Sequence, residues 1–145
     1  MTVRVAETFE LPATPARVWE FIADPAKRAE YISVVDSYTI DNKEGTKATW
    51  QISIPIPFID KTVPVRTEDV KREEPRFIKF VGKSSVMHVV GEHELTETET
   101  GTQLANRFVV EGKVPGVERF FKRNLSKELS NLEAALLADL SESAE

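Results

Sequence analysis

The sequence predicts an α+β domain in which a curved antiparallel sheet grips one long C-terminal helix. Three observations carry this expectation. A strand-like alternation opens the chain, the helical period is missing from Val34 to Gly112, and a long apolar stripe at helical spacing closes it. From about Pro115 onward, Phe121, Leu125, Leu129, Leu132, Leu136 and Leu140 fall four, four, three, four and four residues apart, on one side of a helix. Such a helix needs a large apolar surface to lie on, and the preceding strands are the candidate.

In the first element, Val3, Val5, Phe9 and Leu11 alternate with Arg4, Ala6, Thr8 and Glu10, the pattern of a half-buried strand over residues 3–11. The period then changes. Thr14 suits a helix N-cap and Pro15 the first helical position. Val18, Trp19, Phe21 and Ile22 give this helix an apolar side, and Asp24-Pro25 ends it and caps a second short helix running through Tyr31. Further on, Ala48, Trp50, Ile52, Ile54 and Ile56 alternate with polar residues after a turn at 42–45, and Pro55 and Pro57 end the pairing. More strands are expected at about 62–71, 76–83, 87–96 and 102–111, with turns at 73–75 and 97–101. Strands this closely spaced favour an antiparallel meander over βαβ units.

Composition narrows the function. At 145 residues the chain is expected to form one domain with its own core. It has no cysteine, which excludes disulfides and thiol chemistry, and only two histidines, His88 and His93. Neither a metal site nor a cofactor is expected. A net charge of −5 argues against nucleic acid as partner. The N-terminal stretch lacks the apolar run of a signal peptide and no segment is apolar enough to span a bilayer, so a soluble cytoplasmic protein is expected.

The string TPARVWEFIADPAKRAEYI, with Pro15, Val18, Trp19, Asp24-Pro25 and Tyr31, resembles the START-like (SRPBCC) superfamily of polyketide cyclases and lipid-transport proteins. Pro75-Arg76 before a strand, Gly91 to Leu95, Gly101-Thr102 leading to Leu104 and the final helix extend the likeness over nearly the whole chain. Within it, Gly112, Pro115-Gly116 and the following helix look most like the carbon monoxide dehydrogenase G-like proteins. The resemblance implies a helix-grip fold: a seven-stranded antiparallel curved sheet around the long C-terminal helix, with two short helices after the first strand. It also implies an apolar pocket between sheet and helix. Superfamily members include carriers, receptors, cyclases and chaperone activators, so the fold alone does not assign chemistry.

Polar residues on inward faces are the candidates for chemistry, because a buried polar group without a partner is costly. Glu7 interrupts the apolar face of the first strand. His93 shares a face with Val89, Gly91 and Leu95, and Asn106 shares one with Leu104, Phe108 and Val110. If first and last strands are neighbours, as in the superfamily, these three can meet in one cavity, with Glu7 or His93 as a general base. The plainer account puts Glu7 at an edge and satisfies His93 and Asn106 within the core. Trp50, Ile52, Ile54, Val89, Phe108, Phe120, Phe121, Asn124 and Leu125 complete the candidate ligand-binding set. Arg119, Lys122, Arg123 and Lys127 form a basic run on the final helix; Arg119, Arg123 and Lys127, opposite the leucine stripe, suit contact with a membrane or acidic protein, or simply a solvated face.

The expected function is binding of a hydrophobic small molecule (a lipid, isoprenoid, quinone or polyketide-like compound) between sheet and helix, gated by 54–59 and 112–121. The alternatives are a cyclase or aromatase-type enzyme using the same pocket, and an assembly or chaperone-activating module.

Overall fold

The computed structural model describes residues 2–55 and 62–143. In chain order the elements are β1 (Thr2–Leu11), α1 (Pro15–Ile22), α2 (Pro25–Glu30), β2 (Val35–Ile40), β3 (Lys47–Ile52), β4 (Val63–Glu73), β5 (Phe77–Lys83), β6 (Met87–Thr98), β7 (Gly101–Gly112) and α3 (Val117–Ser143). The helix-grip expectation holds: all seven strands form one antiparallel sheet in the order β1-β7-β6-β5-β4-β3-β2.

Local chemistry sets the element ends. Thr14 Oγ1 accepts from the Arg17 N–H at 3.3 Å, and Asp24 Oδ1 accepts from Ala26 and Lys27 at 2.9 and 3.4 Å, so each short helix has an N-cap followed by proline. Helix α3 begins two residues after the expected Pro115, because Gly116 has a φ of +96°, outside the helical region. Strand β3 stops at Ile52 rather than running on to Ile56, which lies outside the described residues together with most of the expected gate at 54–59.

The meander from β2 to β7 is closed by β1, which returns to pair with β7 along its whole length, from Thr2↔Glu111 to Leu11↔Thr102. Helices α1 and α2 therefore span the distance between the sheet's two edge strands. Helix α3 covers the inner face with Val117, Phe121, Leu125, Leu129, Leu132, Leu136 and Leu140, all buried. At 27 residues it is about 40 Å long. Among the described residues no helix is long and apolar enough to cross a membrane.

Polar ties hold the two short helices to their neighbours. Asp139 on α3 receives Arg17 from α1 at 2.9 Å and Lys27 from α2 at 2.8 Å. Arg28 on α2 makes a two-pronged pair with Asp69 on β4, both contacts at 2.9 Å and both side chains buried. Arg72 adds a third contact to the same carboxylate at 3.1 Å, and the Arg28 guanidinium lies over the Phe80 ring. Removing one partner of a buried pair strands the other charge, which costs more than removing both. Asp69→Ala should therefore lower stability by about 3–5 kcal/mol, and the double variant Arg28→Met/Asp69→Ala should recover part of that loss in urea denaturation.

Candidate functional site

The sheet register arranges the inner face in rows. Ile78, His93, Asn106 and Glu7 occupy one row across β5, β6, β7 and β1. Phe80, Gly91, Phe108 and Val5 form the next, about 7 Å along the strands. Gly82, Val89, Val110 and Val3 form the third.

The first row brings together the three inward polar residues, as the pairing of first and last strands allows, but they serve one another. His93 and Asn106 are fully buried, with His93 Nδ1 2.7 Å from Asn106 Oδ1. The Asn106 amide nitrogen donates to the carbonyls of Glu7 at 3.2 Å and Leu104 at 3.4 Å, which turns its oxygen toward the imidazole. Nδ1 must then carry the proton. Burial pushes the His93 pKa down to about 4, against the raising effect of the Asn106 bond, with the positive charges of Arg28 and Arg107 adding to the fall. The ring is therefore neutral at pH 7, and Nε2 is a bare acceptor with no partner among the described residues. Glu7 contributes its backbone oxygen to this row and its side chain is half-buried.

In the second row the missing side chain matters. A Cβ at Gly91 would lie 2.5 Å from Phe80 Cζ and 3.0 Å from Phe108 Cε1. Only glycine there lets the two rings settle onto the backbone of β6. Phe80 stacks on His93 at 6.4 Å, and Phe108 meets His93 edge-on at 5.6 Å. Together they stand between the imidazole and the space beyond.

That space is a cavity of about 50 Å³ between the sheet and the first half of α3. Trp50, Ile52 and Val65 line it from β3 and β4, and Phe80, Val89, Phe108 and Val110 from the next three strands. Phe121, Leu125 and Leu129 line it from α3, while Tyr31, Ile32 and Val34 close it. Six of the candidate residues thus meet here: Trp50, Ile52, Val89, Phe108, Phe121 and Leu125. Six others are not among the described lining residues. Glu7, His93 and Asn106 lie one row away. Ile54 is buried in the core beyond the end of β3. Phe120 packs edge-on against Phe121, and the Asn124 amide donates to the Phe120 carbonyl at 2.8 Å, one helical turn back, instead of reaching a pocket. Arg119, Arg123 and Lys127 are exposed.

Nine lining residues lie outside the candidate set, and Glu128 is the charged one among them. Glu128 is on α3 between Leu125 and Leu129, only 6% exposed. Ser33 holds its carboxylate through the backbone N–H at 2.8 Å and the hydroxyl at 2.5 Å, and Asn131 adds a bond at 3.3 Å. The available signal was its position three residues after Leu125, inside the arc that faces the sheet. A larger groove of about 830 Å³ opens on the outer surface near Thr14, Lys71 and Arg76, away from α3. Among the described residues no cluster of His, Asp and Glu is placed to hold a metal ion.

A family model described as polyketide cyclase / dehydrase and lipid transport matches residues 2–137. The chain belongs to this family. Its fold is that of a START superfamily protein from Mycobacterium smegmatis, at a TM-score of 0.74 and 15% identity over 96% of this chain and 97% of that one. A conserved protein from Geobacillus kaustophilus superposes at 0.75 with 19% identity, covering 97% of each chain. The Zhui aromatase/cyclase from a Streptomyces species matches at 0.74 with 15% identity, over all of this chain and 97% of that one. No curated protein sequence matches significantly.

The neutral, buried His93 makes a testable contribution to stability. Its folded pKa lies below the ordinary 6.5, so the unfolded chain takes up a proton that the folded one refuses. The contribution is complete above pH 6.5 and is lost as the pH falls toward 4, by about 3 kcal/mol in all. In His93→Gln the unfolding free energy should fall less steeply over that interval, and parallel profiles for the two proteins would contradict the assignment.

Proposed function

We propose that the protein binds a hydrophobic small molecule non-covalently between the sheet and α3, of the lipid, isoprenoid, quinone or polyketide-like class. The observation that carries this reading is the enclosure itself: aromatic and aliphatic side chains from five strands and α3 converge on one space, with Tyr31 and Glu128 at its rim. Transfer of apolar surface out of water supplies the driving force. The family's description, which includes lipid transport, supports the same reading.

The volume sets a condition on the mechanism. About 50 Å³ holds one or two water molecules, whereas pockets for organic ligands run to about 300–1,000 Å³. A ligand must therefore displace a wall. The stretch from Tyr31 to Val34, which joins α2 to β2 without belonging to either, is the wall we propose to move, and its displacement would break the two bonds from Ser33 to Glu128. Carriage is favoured over acid–base catalysis by Glu7 or His93, because Phe80 and Phe108 screen the imidazole and the Glu7 side chain lies off the cavity.

Native mass spectrometry of the protein purified from its own host should reveal a co-purifying apolar molecule. A protein that is repeatedly ligand-free, and that takes up neither Nile red nor lipids and quinones, would refute the proposal. Val89→Phe, which fills the cavity from β6, should weaken dye uptake at least about tenfold and cost about 1–3 kcal/mol of stability through overpacking.

A further inference from the structure

The sheet has two edge strands, β1 and β2, and they are protected differently. Strand β2 is six residues long, its pairing with β3 shifts register between Val35 and Ser37, and the Tyr38 hydroxyl donates to Glu30 on α2 at 2.7 Å. Shortness and a register shift both blunt an edge. Strand β1 is ten residues long and pairs with β7 without a break in register. Every second residue of an antiparallel edge turns its N–H and C=O away from its one neighbour. Among the described residues no backbone hydrogen bond joins β1 to any element but β7, so this outer row is open. The strand carries one protection against pairing, Glu7, a charge on the inner face of an edge.

The charges along β1 suit a second copy of the same strand. When two antiparallel copies keep their inner faces on one side, inner residues meet inner residues, and the residue at the two-fold axis fixes the register. Centred on Glu7, the pairing sets Arg4 of each copy opposite Glu10 of the other, with Ala6 opposite Thr8 between them. Centred on Ala6 or Thr8, it places Arg4 against Thr8 or Pro12 instead. Arg4 is exposed and makes no ion pair among the described residues. Glu10 accepts from Gln103 at 3.1 Å and keeps further acceptor positions. On the inner face Val5, half-buried at the open edge, comes beside Phe9 of the other copy. At the axis Glu7 meets its own copy, a like-charge contact that opposes the pairing.

We propose that β1 is an interface for a second copy of this chain, joined edge to edge in the register centred on Glu7, with the charge at position 7 limiting its strength. The two Arg4–Glu10 pairs select the register, and the backbone groups of both edges supply the hydrogen bonds. The two seven-stranded sheets then become one, with both α3 helices on the same face. The inference is independent of the ligand-binding reading, since no β1 residue is among the described lining residues of the cavity.

Sedimentation velocity at pH 7.5, from about 5 to about 500 μM protein, tests it. Wild-type protein should pass from monomer toward dimer over that range. Glu7→Gln, which removes the like-charge contact, should tighten the dimer about fivefold. Arg4→Glu makes both outer pairs repulsive and should weaken it about tenfold, and Arg4→Glu/Glu10→Arg should return it to within about threefold of wild type. Wild-type protein that stays monomeric at about 500 μM overturns the proposal. So does a dimer that Arg4→Glu or Glu7→Gln leaves unchanged, or one that exchanging the two charges does not restore. Arg4 and Glu10 are exposed, so neither substitution disturbs the core.

Discussion

The apolar stripe of α3, from Val117 to Leu140, is about 35 Å long, and a fully buried leucine side chain is worth about 1.5–3 kcal/mol over one left in water. Covering five such leucines together with Val117 and Phe121 demands a continuous apolar face from a single partner. The sheet meets that demand because β1, although first in the chain, pairs with β7 and widens the inner face beside the meander. Helices α1 and α2 follow from the same arrangement, since the chain must travel from the β1 edge to the β2 edge before the meander starts. The ties from Arg17 and Lys27 to Asp139, and from Ser33 to Glu128, then fasten that crossing segment to the helix.

Within this frame the interior divides into two regions of different character. Toward Leu95 and Leu104 the core is packed, and it contains a polar row in which Asn106 joins His93 Nδ1 to the Glu7 carbonyl while His93 Nε2 has no partner among the described residues. Toward Val89 and Val110 the packing is incomplete and a small apolar cavity remains. Phe80 and Phe108, settled over Gly91, form the partition. On the cavity side Glu128 also lines the wall, but its carboxylate is turned to Ser33 and Asn131, so polar groups on both sides of the partition are engaged by the protein itself.

Much of the fold was legible in the chain because it depends on short-range periodicity. The alternation in β1, the Thr14-Pro15 and Asp24-Pro25 caps, and the four-and-three spacing in α3 are local patterns with local causes. Strand β2 was the least legible. Its residues are exposed or half-buried and its pairing with β3 shifts register between Val35 and Ser37, so no clean alternation marks it. The candidate site was legible only in its apolar half. Trp50, Ile52, Val89, Phe108, Phe121 and Leu125 lie on faces that alternation or the helical stripe identifies. Asn124 and Phe120 were chosen for their place at the start of the helix, yet each is engaged by its neighbours on α3.

By itself the sequence determined the element order, the faces that turn inward and the class of fold that can cover one long greasy helix. Those follow from side-chain periods and capping preferences that act over a few residues. The tertiary structure alone decided that His93, Asn106 and Glu7 share a row joined through the Asn106 amide, that Gly91 makes room for two aromatic rings, and that Glu128 meets Ser33 beside a cavity. These are contacts between residues 11 to 99 positions apart, set by strand register and by the height at which α3 crosses the sheet. No local pattern encodes such contacts, because each arises from where two separately specified elements come to rest against each other.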